Sequence, residues 1–317
     1  MRPLLFALLL TTTAAAQQPD PLQAKLQAIA QLHHGSVALY ATNLLTHQAV
    51  ALSPDVPVQT ASVIKLAILY EALEQLRAGK LHLEDPIILP PAARVPGAGI
   101  LTLLDAPLTL TFKDVLTLMI VMSDNTATNL AIDHLGLAAI NARIATLGLA
   151  NTHLYKKVFT PVDPGTTLPA DFKQFGLGKT TPREITTVMQ KLVTCDLGGT
   201  PTANDQPLCA AALHMLQLQF TRTAIPRYLD RLPGYTEGSI ANKTGALNAV
   251  RNDVAAIATP AGLILISVFT SNNADNTWGA DHEGDLTIAK LARAIIDQWS
   301  PQGLAPWPKP APAPNLH

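Results

Sequence analysis

Residues 61–79 read ASVIKLAILYEALEQLRAG, a strongly apolar run with the spacing of an α-helix. Ser62 and Lys65 lie in its first turn, three residues apart, so we expect both side chains on one helix face within hydrogen-bonding range. A serine hydroxyl becomes a good nucleophile when a base removes its proton, and a lysine whose charge is disfavoured by burial can be that base. The pair is a weak signal alone, because a serine that starts a helix near a solvated lysine is common.

Two further short motifs follow along the chain. Residues 123–125 read SDN, between the apolar end of one predicted helix and the start of another, and residues 243–245 read KTG, on a predicted edge strand. Alone, the first is also an ordinary helix cap and the second a strand that ends in a turn glycine. Together and in this order, SxxK, SDN and KTG are the motif set of class A β-lactamases and penicillin-binding proteins.

The sequence resembles the class A β-lactamases from about residue 20 to residue 300. Beyond the motifs, the likeness includes LTLMIVMSDNTATNLAID (116–133), TTPRE (180–184) and IPRYLDRLP (225–233). The resemblance implies a serine hydrolase that opens the β-lactam ring through an acyl-enzyme, with a small-molecule β-lactam substrate. Neither a cofactor nor a metal is expected, because no phosphate loop, dinucleotide fingerprint or metal-ligand spacing occurs in the sequence.

The resemblance also implies a role for each motif residue. Ser62 would attack the lactam carbonyl, with its own amide and that of Ala246 as the oxyanion hole. Lys65 would hold or remove the nucleophile's proton, and Ser123 would relay a proton to the departing ring nitrogen. Lys243 would keep the field in the site positive and help to bind the substrate carboxylate.

The remaining predicted residues bind substrate: Asn125, Thr244, Gly245, Ala246 and Arg251. Thr244 would contact the substrate carboxylate, and Asn125 would orient the substrate amide. Arg251 lies eight residues after Lys243 on the far side of the same hairpin, where a guanidinium could reach the carboxylate in a bidentate manner. This hairpin is one residue shorter than in common family members, so a surface arginine is the alternative.

One feature of the family is missing. Class A enzymes carry a glutamate in a loop after the SDN helices, which positions the water that hydrolyses the acyl-enzyme. The matching segment, residues 154–182, has no glutamate, and its only acids are Asp163 and Asp171. Asp163 is a weak candidate for the deacylating base, and Glu184 is expected to cap a helix with Thr181. The sequence therefore supports acylation better than turnover.

The expected fold class is α+β and β-lactamase-like, an antiparallel sheet flanked by helices plus an all-helical subdomain. Residues 20–60 and 226–300 would form a discontinuous α/β subdomain, because strand patterns occur at both ends of the chain. Residues 61–225 would form the all-helical subdomain. Residues 301–317 are rich in proline and are expected to form a disordered tail.

The N-terminus predicts export to the periplasm or the medium. Residues 1–16 have the charged, apolar and A-x-A-like regions of a signal peptide, and we expect no membrane span after its cleavage. In such a compartment Cys195 and Cys209 can form a disulfide, although two unpaired cysteines are the alternative.

Composition and motif order restrict the classes of function. With 22 Lys and Arg against 23 Asp and Glu the net charge is -1 and no basic cluster stands out, so no nucleic-acid partner is expected. We expect a monomer. The alternatives to a β-lactamase are a penicillin-binding acyltransferase or peptidase-like protein with slow deacylation, and a non-catalytic protein that binds β-lactams or muropeptides. The complete motif set argues against the non-catalytic reading.

Overall fold

The computed structural model describes residues 20–162 and 167–308, which form nine helices and ten strands. The helices are α1 (Pro21–Gln31), α2 (Lys65–Arg77), α3 (Phe112–Val121), α4 (Asn125–Leu135), α5 (Leu137–Thr146), α6 (Phe172–Phe175), α7 (Pro182–Thr194), α8 (Asp205–Gln217) and α9 (Glu283–Trp299). The strands are β1 (Ser36–Asn43), β2 (Ala49–Leu52), β3 (Val58–Gln59), β4 (Pro86–Leu89), β5 (Leu108–Thr111), β6 (His153–Leu154), β7 (Gly178–Thr180), β8 (Ile240–Leu247), β9 (Val250–Thr259) and β10 (Gly262–Ser271).

The main sheet has five antiparallel strands in the order β2-β1-β10-β9-β8. Its centre joins the two ends of the chain, because β1 pairs with β10 from Ser36 opposite Ser271 to Asn43 opposite Ile264. The KTG motif lies on β8, the edge strand, so one side of this strand's backbone is free of strand partners. The α+β, β-lactamase-like fold class is confirmed.

Two apolar clusters cover the two faces of this sheet. α1 and α9 pack on one face through residues such as Leu26, Ile266 and Ile295, all fully buried. The other face contributes Val254, Leu265 and neighbouring side chains to a larger cluster built around α2, the most buried helix. The sheet therefore separates a helical pair from a helical layer, and α2 carries the SxxK motif into the middle of the molecule.

The middle of the chain is not entirely helical. It contains the hairpin β4–β5 and a small sheet in the order β3-β7-β6. These strands have two to four residues each, too few for an alternating pattern to stand out against helical periodicity in the sequence.

The C-terminal segment is ordered further than expected. Leu304 is buried in the α1–α9 cluster, and the backbone of residues 304 and 305 donates hydrogen bonds to Pro233 and Ala258. Proline ends helix α9 but does not prevent packing, so the prediction of a disordered tail from residue 301 onwards needs correction. Residues 1–16, the predicted signal peptide, lie outside the described part of the chain.

Cys195 and Cys209 form a disulfide with a Cα–Cα distance of 5.5 Å. Cys195 is the residue at which α7 ends, and Cys209 lies in α8, so the bond ties two helices of the helical layer together. None of the helices formed by residues 20–162 and 167–308 is both long and apolar enough to span a bilayer.

Candidate active site

Ser62 lies on a 3₁₀ turn, Ala61–Ile64, that leads directly into α2. The turn packs closely against strand β8 because residue 245 is glycine. A Cβ atom at Gly245 would lie 2.7 Å from the carbonyl oxygen of Thr60, closer than real contacts allow, and 3.0 Å from the amide nitrogen of Ser62. The glycine of KTG thus permits the contact between the edge strand and the predicted nucleophile.

Lys65 is fully buried and connects the SxxK motif to the SDN motif. Its Nζ donates to the carbonyl oxygen of Ser123 at 2.7 Å, to the Ser123 Oγ at 3.1 Å and to the Asn125 Oδ1 at 3.3 Å. Ser62 lies on the 3₁₀ turn, and Lys65 is the first residue of α2. Within the described residues, however, the hydrogen bonds of Lys65 run to the SDN motif and not to the Ser62 hydroxyl.

Lys243 contacts the same serine. It is fully buried, and its Nζ donates to the Ser123 Oγ at 3.1 Å and to the carbonyl oxygen of Thr244 at 2.9 Å. The Ser123 hydroxyl therefore lies 3.1 Å from the side-chain nitrogens of both lysines. Two amines around one hydroxyl, in a site this buried, are poorly placed to be charged at the same time.

Burial shifts the pKa of both lysines downward. The pKa of Lys65 lies well below its ordinary value, first because the side chain is buried and second because Lys243 is close, although Asp124 opposes the shift. Burial lowers the pKa of Lys243 to about 7, and the charge of Asp253 limits this change. Lys65 is thus the amine favoured to be neutral, the form that can accept a proton.

Asp253 is a buried carboxylate on β9 that the motifs do not reveal. It accepts hydrogen bonds from the Asn242 side chain and from the amide of Ile225, and it is the cross-strand partner of Thr244. Burial raises the pKa of Asp253 to about 6. The carboxylate is therefore mostly ionised at pH 7, which places a negative charge next to the KTG strand.

The SDN motif is held by the glycine-containing segment 95–101. Ser123 has a left-handed backbone, with φ of 54°, and Asp124 accepts hydrogen bonds from the amides of residues 100, 101 and 127. The Asn125 side chain donates to the Pro96 carbonyl as well as accepting from Lys65. A Cβ at Gly99 would overlap the Asp124 carboxylate, so this segment can lie over the motif only with glycine there.

Arg251 is buried, and its guanidinium is hydrogen-bonded to backbone carbonyls. Its guanidinium donates to the carbonyl oxygens of Leu247, Val250 and Thr277, and it lies 4.7 Å from the ring of Trp278. The β8–β9 register places Arg251 on the same sheet face as Thr244, two residue pairs further along. Its predicted contact with a substrate carboxylate stays a prediction, since these hydrogen bonds would have to rearrange for it.

The loop that lacks the glutamate approaches the site through Val158. The side chain of Asn129, one turn after Asn125 on α4, accepts from the Val158 amide at 2.8 Å and donates to its carbonyl at 2.9 Å. Val158 is buried but belongs to neither of the two apolar clusters. An aliphatic side chain, not a carboxylate, thus lies where the loop is fixed to the SDN helix.

The acids of this loop have other tasks or lie outside the described residues. Asp171 accepts hydrogen bonds from Tyr155 and Lys179, and Asp163 is not among the described residues. Glu184 receives the Thr181 cap on its amide, but its carboxylate binds residues 151 and 152 and does not return to Thr181. The predicted capping box is therefore only half formed.

Lys65, Ser123 and Lys243 thus meet at one place, and the turn that carries the partly exposed Ser62 packs against Gly245 on the same strand as Lys243. Groups of these kinds can attack a carbonyl and pass protons between attacking and leaving atoms. Sequence reasoning missed Asp253, Val158 and Asn129. The signals were faint: one acid in an apolar strand, and an asparagine four residues after the last SDN residue.

Fold and motif geometry together define a protein with β-lactamase architecture. The model of the beta-lactamase enzyme family matches residues 21–299. The structure is similar to that of a beta-lactamase from Sphaerobacter thermophilus, with 31% identity, a TM-score of 0.73, and coverage of 87% of this chain and 96% of the other. The chain belongs to the beta-lactamase enzyme family.

A second similar structure is that of PBP-A, with 25% identity, a TM-score of 0.72, and coverage of 87% of this chain and 95% of that one. A point mutant of PBP-A, equally similar, was solved as an acyl-enzyme complex with penicillin G. A beta-lactamase from Xanthomonas campestris shares the fold with a TM-score of 0.72 at 18% identity, over 87% of this chain and 96% of that one. No curated protein matches the sequence.

Proposed function

We propose that this protein opens β-lactam rings by forming an acyl-enzyme on Ser62. The observation that carries the proposal is the placement of Ser123 Oγ between two buried lysines, beside the turn that carries Ser62. Lys65, favoured as a neutral amine, accepts the proton of the Ser62 hydroxyl as the hydroxyl attacks the lactam carbonyl. Ser123 passes a proton to the ring nitrogen when the carbon–nitrogen bond breaks.

The edge position of β8 supports an oxyanion hole in this proposal. The Thr244 carbonyl accepts from Lys243, which indicates that it points to the open edge of the strand. In a strand, the amide and carbonyl of one residue, and those two residues further on, point to the same side. The Ala246 amide then points to the edge where Gly245 meets the Ser62 turn, and the two amides stabilise the developing oxyanion.

A second candidate, a penicillin-binding protein with a long-lived acyl-enzyme, is favoured by one specific observation. Val158, and no described carboxylate, is the residue that Asn129 holds next to the SDN motif. Acylation and deacylation are separate steps with separate barriers, so a site can perform the first well and the second slowly. Under this candidate, the adduct on Ser62 accumulates.

One experiment tests the proposal and separates the two candidates. Mature protein is mixed with a chromogenic cephalosporin in a stopped-flow instrument, and intact mass is recorded in parallel. Sustained turnover indicates a β-lactamase, whereas a single burst with a stable adduct indicates a penicillin-binding protein. The Ser62→Ala variant should show neither burst nor adduct, and an adduct that persisted in this variant would contradict acylation at Ser62.

A further inference from the structure

Phe159 has two features that do not favour the folded state. Its backbone is in the left-handed region, with φ of 50°, which is rare for a bulky side chain. Its ring is also 63% exposed to solvent. Single exposed aromatic residues are common, but a strained backbone that presents one is not, and such strain concentrates at functional sites.

A buried side chain of the SDN helix contacts the residues on both sides of Phe159. Asn129 binds the amide and carbonyl of Val158, before Phe159, and its Nδ2 lies 3.3 Å from the hydroxyl of Thr160, after it. Both neighbours of the phenylalanine are thus attached to α4, the helix that begins with Asn125. Phe159 is therefore held at a set place relative to the SDN motif.

The ring lies close to the amide of Asn125. The space that a Cβ would fill at Gly97 is bounded by the Asn125 Nδ2 at 2.6 Å and by the Cε2 atom of the Phe159 ring at 3.1 Å. The absence of a side chain at Gly97 is what lets the ring lie there. Under the proposed function, Asn125 binds the amide that joins the β-lactam nucleus to its acyl substituent.

We propose that the ring of Phe159 binds the acyl substituent of the substrate and makes the site selective for β-lactams with an aromatic or other flat apolar substituent. The inference rests on the proposed function, since it takes Asn125 as the group that binds the substrate amide. An exposed ring next to this amide offers an apolar face to the group bonded to the amide carbonyl, which penicillins carry as their variable part. A substrate without this group has nothing to place there.

The test compares two penicillins, one with and one without the whole acyl group, its amide carbonyl included. Benzylpenicillin carries a phenylacetyl substituent, and 6-aminopenicillanic acid has the same ring system with a free amine. Second-order acylation rates are measured by intact mass for the unmodified protein, Phe159→Ala and Phe159→Tyr. We expect Phe159→Ala to lose about tenfold in rate with benzylpenicillin and less than about twofold with 6-aminopenicillanic acid.

Phe159→Tyr is the matched control, because it keeps an aromatic face and should keep the preference for benzylpenicillin. Thermal unfolding of Phe159→Ala should show no loss of stability, since the exposed ring supports little packing. Equal loss with both penicillins, or no preference in the unmodified protein, would overturn the inference. Failure of the unmodified protein to be acylated by either compound would instead reject the proposed function.

Discussion

At the scale of a single residue, the hydroxyl of Ser123 contacts the amines of two lysines. Its hydroxyl lies between the amines of Lys65 and Lys243, and its left-handed backbone turns its carbonyl toward Lys65. One hydrogen-bonding atom thus connects motifs that are 58 and 120 residues away in the sequence. A change in the charge of either lysine is felt directly by the other.

The charge of Lys243 depends on Asp253, and replacing this acid gives a first prediction. Under the proposed function, Lys243 attracts the substrate carboxylate in its ammonium form, so the acylation rate constant should fall as pH rises through its pKa of about 7. Asp253→Asn removes the negative charge that favours the ammonium form. The alkaline limb of the pH profile should therefore move to lower pH, by roughly one unit.

The measurement is acylation by benzylpenicillin between pH 5 and pH 9, in buffers of constant ionic strength. Asp55→Asn is the control, because it removes an acid whose partner is the surface residue Arg183. An alkaline limb that stays in place in Asp253→Asn would show that this carboxylate does not set the charge of Lys243. Thermal unfolding of both variants identifies any loss of fold.

The site residues that could be predicted from the sequence are those that belong to short motifs. Ser62, Lys65, Ser123 and Lys243 could be found because each motif is contiguous and their order is informative. The partners of Lys65 could not be predicted, because spacing along one helix gives no information on a contact 58 residues away. Asp253 could not be predicted, because its burial next to the KTG strand follows only from the assembled sheet.

At the scale of structural elements, two loops contact the SDN motif and its helix. Segment 95–101 lies over Asp124 and Asn125, and Val158 and Phe159 approach from the other loop through Asn129. Both loops bind the motif through side-chain amides and carboxylates, which are directional, so small changes in the loops are transmitted to the site. The chemical character of the loop around Val158 should decide how fast an acyl-enzyme is hydrolysed.

Replacing Val158 by glutamate is the second prediction. The side chain at this position is buried next to the SDN helix, and a carboxylate there could accept a proton from a water molecule that attacks the acyl-enzyme. We expect Val158→Glu to release the adduct at least about tenfold faster, since a positioned general base is typically worth more than this. The decay of the adduct is followed by intact mass after excess β-lactam is removed.

Val158→Gln is the control for this substitution, because it has nearly the same size but no basic carboxylate. It should leave the lifetime of the adduct close to that of the unmodified protein. Faster release in both variants would mean that the loop was merely loosened and that water entered. Unchanged release in Val158→Glu would show that Val158 does not face the acyl group.

The elements themselves were predictable to the extent that they are long. β1, β9, β10 and α9 follow their sequence patterns closely, because ten or so residues suffice to distinguish a period of two from a period of 3.6. The hairpin β4–β5, with four residues a strand, was missed. The antiparallel pairing within the hairpins and the joining of both chain ends in one subdomain were predictable, but the strand order, with β1 next to β10, was not.

At the scale of the whole molecule, the C-terminal segment, residues 304–307, connects both apolar clusters. Leu304 is 2% exposed within the α1–α9 cluster, whereas the partly buried Trp307 packs against the cluster around α2. The chain between them also pairs with the loop at Pro233 and with the end of β9. This short stretch thus joins two layers that the sheet otherwise separates.

Leu304→Ala is the third prediction and tests this connection. Truncating a buried leucine should lower the free energy of unfolding by about 2–5 kcal/mol, from lost burial and the remaining cavity. Urea unfolding followed by fluorescence gives the value, and Leu32→Ala, at a residue that is 79% exposed, should change it by less than about 0.5 kcal/mol. Equal small effects in both variants would show that the segment adds no stability.

The pairing of β1 with β10 has a consequence for the protein while it is being made. Ser36 pairs with Ser271, so the side of β1 that pairs with β10 has no neighbouring strand until residue 271 has left the ribosome. Throughout synthesis the growing chain exposes an apolar strand with an unpaired edge, the kind of segment that chaperones bind and that aggregates when crowded. The central pairing of the sheet can therefore form only after residues 264–271 have been synthesised.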